Sequence, residues 1–217
     1  MPSDNASDRS LDSLLAGVRR FHRDIYSANR NLYQEAAQKP QQPHTLVVTC
    51  ADSRIDPEAL TQSGPGDIFV TRNIGNLVPA YGEALGATSA VLEYAVSALG
   101  VDRIVIMGHT DCGAMKAMLH PEAVASMPTV RNWLRHADTA LSIVKARAAE
   151  QNENVTLSQL IDENVLLQLN HLRTHPSVAG KLATGKLALY GWVYDIGAGI
   201  VRMYDSAAQK FESIPAD

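Results

Sequence analysis

Two short motifs in this chain bring together the residue types that bind and use a transition metal. The first is Cys50-Ala51-Asp52-Ser53-Arg54 and the second is His109-Thr110-Asp111-Cys112, and together they contain both cysteines of the chain. Two thiolates and one imidazole form a soft three-ligand set for Zn2+, which leaves one tetrahedral position open. An open position is typical of catalytic zinc, so the motifs predict Cys50, His109 and Cys112 as the ligands of a catalytic Zn2+.

A carboxylate and a guanidinium accompany the first cysteine. Asp52 could accept a hydrogen bond from water activated by the metal, or it could bind the metal itself and close the site. A bidentate contact from Arg54 would hold the carboxylate away from the metal. We therefore interpret Asp52 and Arg54 as an orienting pair that could also gate the site.

Each of these residues also has a non-catalytic interpretation. The cysteines could be buried and inert or joined in a disulfide, His109 could be a hydrogen-bonded core residue, and Asp52 and Arg54 could form an ordinary ion pair. The combination of residue types at two strand ends favours a functional site. A thioredoxin-like Cys-x-x-Cys is absent, and Thr110 and Ala114 replace the glycines that would flank Cys112 in a nucleophile elbow.

Short apolar runs lead into both motifs. Residues 45–49 and 103–108 are rich in β-branched side chains, as buried parallel strands are. Side chains just past the carboxyl ends of parallel strands meet at one edge of an open α/β sheet, so the two motifs are expected to converge there. Further strands are predicted at 68–72, 186–194 and 200–204, the last two as a hairpin at the sheet edge.

Helical periodicity surrounds these strands. Apolar residues recur at helical spacing over residues 11–38, which predicts an amphipathic arm, whereas residues 1–10 are polar and predicted to be disordered. Further helices are predicted from Asp56-Pro57, at 83–99, from Gly113, at 130–150, at 157–172 and from Pro176. The fold class is therefore α/β, a mostly parallel β-sheet flanked by helices, with an N-terminal helical arm and an edge hairpin. A single domain over residues 1–217 is the simplest organisation.

Composition limits the classes of partner. The 217 residues carry a formal net charge of −4 and no run of lysines or arginines, which argues against a nucleic-acid partner. No apolar stretch approaches the ~20 residues that span a bilayer, so no membrane partner is expected. The N-terminus lacks the apolar core of a secretory signal, and we predict a cytoplasmic location.

The motifs as a set resemble those of the β-class carbonic anhydrases, in particular bacterial members associated with cyanate metabolism. The resemblance runs from about residue 11 to residue 205 and is carried by Cys50–Arg54, Arg72–Pro79, Glu93–Val96, Gly108–Gly113 and Gly191–Asp195. It implies reversible hydration of CO2 to bicarbonate and a proton, by attack of zinc-bound hydroxide on CO2. It also implies Zn2+ on Cys50, His109 and Cys112, with Asp52 and Arg54 as the catalytic pair.

The resemblance further implies a narrow apolar pocket for CO2. By position, Gln41, Phe69 and Tyr94 match residues that line this pocket in some members of the class, partly across a subunit interface. The backbone N–H of Gly113 is expected to be a further donor to bicarbonate. Members of the class form homodimers through the helical arm, here residues 11–38, and often larger homo-oligomers.

A regulatory bicarbonate site found in some bacterial members is expected to be absent. That site combines a Trp with an Arg and a Tyr. Arg72 and Tyr194 match the latter two, but Val47 stands where the Trp would be. We therefore predict that Asp52 stays off the zinc at neutral pH.

Two other functions stay open at this point. One is a hydrolase of the same architecture that acts on a CO2 analogue, such as carbonyl sulfide or carbon disulfide. The other is a non-catalytic, zinc-stabilised scaffold for oligomerisation. The Asp52–Arg54 pair disfavours the scaffold, because structural zinc alone does not require it.

Overall fold

The strands form one mixed sheet in the computed structural model, which describes residues 11–82 and 86–215. The strands are β1 (Thr45–Cys50), β2 (Ile68–Asn73), β3 (Arg103–His109), β4 (Ala188–Asp195), β5 (Ile200–Asp205) and β6 (Lys210–Ser213). Within the described residues their order is β2-β1-β3-β4-β5-β6, parallel from β2 to β4 and antiparallel from β4 to β6. The α/β class and the β4–β5 hairpin are confirmed. Strand β6 was not predicted, and it replaces the hairpin as the edge of the sheet.

Helices accompany the sheet along the described chain. They are α1 (Leu11–Arg20), α2 (Arg30–Gln38), α3 (Pro57–Thr61), α4 (Ala87–Glu93), α5 (Gly113–Leu119), α6 (Pro128–Leu134), α7 (Asp138–Gln151), α8 (Leu157–Thr174) and α9 (Pro176–Ala183). Helices α1 and α4 continue as π-helical segments over Phe21–Tyr26 and Tyr94–Leu99, and 3-10 turns occupy Ile74–Asn76, Pro121–Val124 and Arg135–Ala137. No helix within the described segments combines the length and the hydropathy that crossing a bilayer requires.

Local capping explains where two of these helices begin. The Asp56 side chain accepts a hydrogen bond from the Ala59 N–H at 3.1 Å, at the start of α3. Thr156 and Gln159 form a reciprocal capping box at the start of α8. Each cap satisfies a backbone N–H that the first helical turn leaves without a partner.

Two of the predicted helices are divided in the structure. The predicted helix over 11–38 is interrupted at Asn29, whose φ of −116° and ψ of 26° lie outside the helical region. The Asn29 side chain donates to the Ile25 carbonyl at 2.9 Å, a local bond that competes with helix continuation. The predicted helix over 130–150 is α6 and α7, joined by a 3-10 turn. The predicted disorder of residues 1–10 and the start of a helix at Glu83 lie outside the described residues.

The chain divides into two compact units, one up to Gln41 and one from Gln42 onward. The first unit contains α1 and α2, and its exposed apolar side chains include Leu11, Leu14, Val18, Phe21 and Ile25. The second unit contains the sheet and the other helices. The single domain over residues 1–217 stays a prediction.

Helix α8 lies very close to the sheet because the strands beneath it carry glycines. A Cβ on Gly108 of β3 or on Gly191 of β4 would lie 2.9 Å from the Val165 side chain, closer than real Cβ contacts. The absence of these side chains lets α8 approach the backbone of both strands. This close approach also brings α8 to the loop that follows β2, where it forms the contacts described below.

Candidate metal centre

The two motifs meet at the carboxyl edge of the sheet. Cys50 is the last residue of β1 and His109 is the last residue of β3, and these strands are parallel neighbours. A tight turn follows His109, in which Asp111 has a φ of 62°, in the left-handed region that Asp tolerates better than most residues. The turn makes Cys112 the N-cap of α5 and returns the chain to the edge that carries Cys50.

The side chains of Cys50, His109 and Cys112 form a buried cluster whose ligand atoms lie within 4.8 Å of one another. Both cysteines are free thiols, so the disulfide alternative is wrong. The Nδ1 of His109 lies 2.8 Å from the Thr110 carbonyl, which places the ring proton on Nδ1. Nε2 has no hydrogen-bond partner among the described residues. A buried imidazole nitrogen without a partner, beside two thiols, fits a zinc ion.

The thiols of this cluster differ in their pKa values. The hydrogen bond from Cys112 lowers the pKa of the Cys50 thiol, and the backbone N–H groups of Gly75 and Asp52 contribute to the same effect. The contact with Cys50, followed by burial, raises the pKa of the Cys112 thiol. Burial is the largest influence on the pKa of His109 and lowers it, but Cys50, the Thr110 carbonyl and Asp52 together outweigh burial, and the net pKa is raised. A bound divalent cation would displace the protons of both thiols, because the thiolate is the form that binds a metal.

Arg54 holds Asp52 by a bidentate contact. Nε and Nη2 of Arg54 donate to Oδ1 and Oδ2 of Asp52 at 2.9 and 2.7 Å. The backbone N–H of Arg54 also donates to Oδ1 at 3.0 Å. The Arg54 hydrogen bond is the main reason why the pKa of Asp52 lies well below its usual range. Oδ2 lies 4.0 Å from Nε2 of His109, so the carboxylate faces the partnerless imidazole nitrogen.

A second carboxylate, for which no role was predicted, fixes Arg54 from the other side. Nη1 of Arg54 donates to Oδ2 of Asp111 at 2.9 Å, and Asp111 also forms an ion pair with Lys116. Lys116 and then Arg54 lower the pKa of Asp111. The Asp within the second motif was visible in the sequence, but its pairing with the first motif depends on how the two strand ends meet.

Arg72 fixes the backbone of the first motif. Its Nε and Nη2 donate to the carbonyls of Cys50 and Asp52 at 3.1 and 2.6 Å. Val47, at the position of the regulatory Trp, belongs to the smaller core cluster. The absence of the regulatory site stays a prediction.

The predicted pocket residues are spread along the chain rather than gathered at the metal cluster. Phe69 is paired with Leu46, four residues before Cys50, which corresponds to about 13 Å along a strand. The ring centroid of Tyr94 lies 6.2 Å from that of Phe69. Gln41 is exposed and ends the first unit, and Gly113 begins α5 directly after Cys112. The binding roles of these four residues stay predictions.

A small cavity opens beside the first motif. It has a volume of about 290 Å³ and is lined by Ala51, Asn73, Ile74, Thr129, Val130 and Trp133. Trp133 fixes one wall, because its Nε1 donates to the Ile74 carbonyl at 2.8 Å. Sequence reasoning missed this cavity because its lining comes from three separate segments.

Known proteins match the chain over most of its length. The family model described as carbonic anhydrase matches residues 45–201. A carbonic anhydrase of Pseudomonas aeruginosa is 45% identical over 204 residues, which cover 94% of this chain and 92% of that protein. The solved structure of the β-carbonic anhydrase CcaA has a TM-score of 0.88 at 36% identity, and the match covers 94% of this chain and 99% of that chain. A chain of the tetrameric β-carbonic anhydrases from Sordaria macrospora has a TM-score of 0.78 at 26% identity, with 88% and 95% covered.

Proposed function

The chain belongs to the β class of the carbonic anhydrases, and from this premise we propose that it is a zinc enzyme whose metal is held by Cys50, His109 and Cys112. Family membership makes it an enzyme that hydrates CO2 reversibly to bicarbonate and a proton. The zinc assignment rests on one observation, the partnerless Nε2 of His109 beside two buried free thiols. The donor set of two sulfurs and one imidazole nitrogen suits Zn2+ and leaves a position for water.

The residues around the cluster have separate roles in the reaction. Bound Zn2+ supplies a Lewis acid that makes water nucleophilic near neutral pH and activates it for attack on CO2. Asp52 accepts a hydrogen bond from the attacking water and so orients it, and the low pKa of Asp52 keeps this acceptor ionised. Arg54 holds both carboxylate oxygens, which supports the proposal that Asp52 stays off the zinc at neutral pH.

The substrate is small and apolar, and the apolar cavity beside Ala51 supports its binding next to the metal. We propose that Phe69, Tyr94 and Gln41 complete the pocket from a second subunit, and that the Gly113 N–H donates to bicarbonate. The protein would then act as a homodimer or a larger homo-oligomer, in line with the tetrameric relatives from Sordaria macrospora. A cytoplasmic location is part of the same proposal.

The zinc assignment is tested by stopped-flow CO2 hydration and metal analysis on one preparation. We expect about one zinc per chain together with rapid hydration, because three protein ligands form one catalytic site. Cys50→Ser should lose zinc and hydration together. Ser53→Ala, an exposed position in the same motif, is the matched control and should keep both. Rapid hydration by metal-free protein, or by Cys50→Ser, would overturn the assignment.

A further inference from the structure

The loop after β2 touches both of the segments that carry the thiols. The Asn73 carbonyl accepts a hydrogen bond from the Ala51 N–H at 2.8 Å, and a contact from the Gly75 N–H is among those that lower the pKa of the Cys50 thiol. On its other side Gly75 lies against α5, where an added Cβ would come within 2.9 Å of the Ala114 Cβ. Gly75 is therefore held between the end of β1 and the helix that begins after Cys112.

The conformation of Gly75 needs an external restraint. Its φ of 78° and ψ of 20° lie in the left-handed region. Glycine populates positive and negative φ with similar ease, so its own backbone preference does not keep the N–H directed at Cys50. Helix α8 supplies a restraint on this peptide, because Nδ2 of Asn164 donates to the Gly75 carbonyl at 3.1 Å. The N–H is thus held by the sulfur on one side of the α-carbon, and the carbonyl is held by Asn164 on the other.

Gln168, one helical turn further along α8, orients Asn164. The Val78 N–H donates to Oε1 of Gln168 at 2.8 Å, and Nε2 of Gln168 donates to Oδ1 of Asn164 at 2.9 Å. Since Oδ1 is the acceptor, Nδ2 of Asn164 is left to donate to Gly75, and one orientation of both amides satisfies the whole chain of bonds. Asn164 and Gln168 are 1% and 0% exposed, and an unpaired amide there is costly, which disfavours the flipped orientation.

We infer that Asn164 and Gln168 are positioning residues of the metal centre, which act through the Gly75 peptide to direct its N–H onto the Cys50 sulfur. Both residues act through backbone groups of the loop. Hydrogen bonds to a ligand atom set its orientation and its donor strength toward the metal, so their loss weakens metal binding. The inference rests on the proposed function, because it takes Cys50 as a zinc ligand.

Zinc affinity and the spectrum of the cobalt-substituted protein test this inference without a measurement of activity. Asn164→Leu keeps the branched shape of the side chain but replaces the amide with methyl groups and removes the donor to Gly75, so we expect zinc affinity in chelator competition to fall by about 10- to 100-fold. The thiolate-to-cobalt charge-transfer bands should shift, because the Cys50 sulfur loses a fixed donor. Gln168→Met leaves Asn164 in place but removes the bond that fixes the orientation of its amide. It should change the zinc affinity and the charge-transfer bands in the same direction as Asn164→Leu, but to a smaller extent.

Glu163→Gln is the matched control. Glu163 adjoins Asn164 on α8 and is also buried, but it pairs with Arg147 of α7 at 2.5 Å. Its replacement disturbs α8 on the side that faces α7. We expect Glu163→Gln to change the free energy of unfolding. Its zinc affinity and its cobalt bands should match those of the wild-type protein.

The outcomes separate this inference from the proposed function. Tight zinc binding by Cys50→Ser would refute the ligand set itself. Loss of zinc by Cys50→Ser, together with wild-type affinity and spectrum in folded Asn164→Leu, would refute the positioning role alone. If Asn164→Leu does not fold, Gln168→Met decides, and wild-type values in that variant overturn the inference. An equal loss of affinity in Glu163→Gln would also overturn it, because it would reduce the effect to general destabilisation of α8.

Discussion

At the scale of single residues, the chemistry of this site depends on how a carboxylate is held. Asp52 has three hydrogen bonds from Arg54, and Arg54 is itself fixed by Asp111. Charge-assisted bidentate bonds of this kind define the direction of the acceptor as well as its ionisation. The carboxylate is therefore ionised and already oriented before substrate arrives.

Asp52→Asn is expected to keep zinc and lose most of kcat. The amide is nearly the same size, but it replaces an anionic acceptor with a neutral group and presents a donor to Arg54. The loss should be on the order of 100-fold or more, as for other positioned proton acceptors. Stopped-flow hydration with metal analysis measures it, and Asp102→Asn, at the opposite end of the sheet, serves as the control. Wild-type kcat in Asp52→Asn would show that the carboxylate has no orienting role.

At the scale of elements, α8 fixes the loop after β2 through hydrogen bonds to its backbone. Beyond Asn164 and Gln168, its C-terminal end contacts the same loop through His171, Thr174 and His175, which bond to the backbone of Val78, Tyr81 and Pro79. The Val78 carbonyl lies 2.7 Å from Nδ1 of His171, and Nε2 of His175 donates to the Pro79 carbonyl at 3.0 Å. Most of these contacts satisfy buried backbone groups that have no ladder partner in a loop.

His175 should make the stability of the protein depend on pH. Burial lowers the pKa of His175, so the folded protein holds it neutral while the unfolded chain binds a proton near pH 6.5. Its contribution to stability is complete above that pH and is lost as the pH falls through the lower folded pKa. Urea unfolding of the zinc-loaded protein at pH 7.5 and 5.5 should show a larger decrease for wild type than for His175→Gln.

The comparison with His175→Gln isolates this histidine. Zinc release at acid pH affects both proteins, so the difference between their pH dependences reports His175. His120→Gln, at an exposed helix end, is the control and should follow wild type. Equal decreases in wild type and His175→Gln would contradict the assignment.

At the scale of the whole molecule, the first unit carries apolar side chains that a monomer would leave in contact with water. Leu14 and Val18 of α1 are 69% and 65% exposed, and Leu11, Phe21 and Ile25 are exposed as well. Contiguous exposed apolar surface of this kind marks an interaction site. It supports the prediction that residues 11–38 are an arm for dimerisation.

Leu14→Asp with Val18→Asp is expected to reduce the mass of the assembly, measured by sedimentation velocity, because it places charge in an apolar contact. Activity should fall with the mass while zinc stays bound, since Phe69 and Tyr94 would no longer complete the pocket of a second subunit. Arg19→Gln, on the same helix, is the control and should leave the mass unchanged. If the double variant forms an assembly of the same mass as wild type, the arm is excluded as the dimer contact.

The metal cluster and the parallel sheet were predictable from local sequence. Ligand chemistry depends on residue type, and β-branched runs mark the strands whose ends carry Cys50 and His109. Capping residues such as Thr156 were equally readable, because a cap acts within one helical turn. The break at Asn29 was missed, since the apolar periodicity continues on both sides of it.

The sequence by itself determined which atoms could bind a metal, which strands carry them and which carboxylate lies beside them. Only the tertiary structure decided that Asp111 fixes Arg54, that Trp133 forms a wall of the cavity beside the site, and that Asn164 reaches Gly75. These pairings join residues about 60 to 90 positions apart, and they depend on the rotation and depth of helices on the sheet. For α8 that depth is set by close packing over Gly108 and Gly191. No local pattern encodes such a distance, because it is a property of two surfaces in contact.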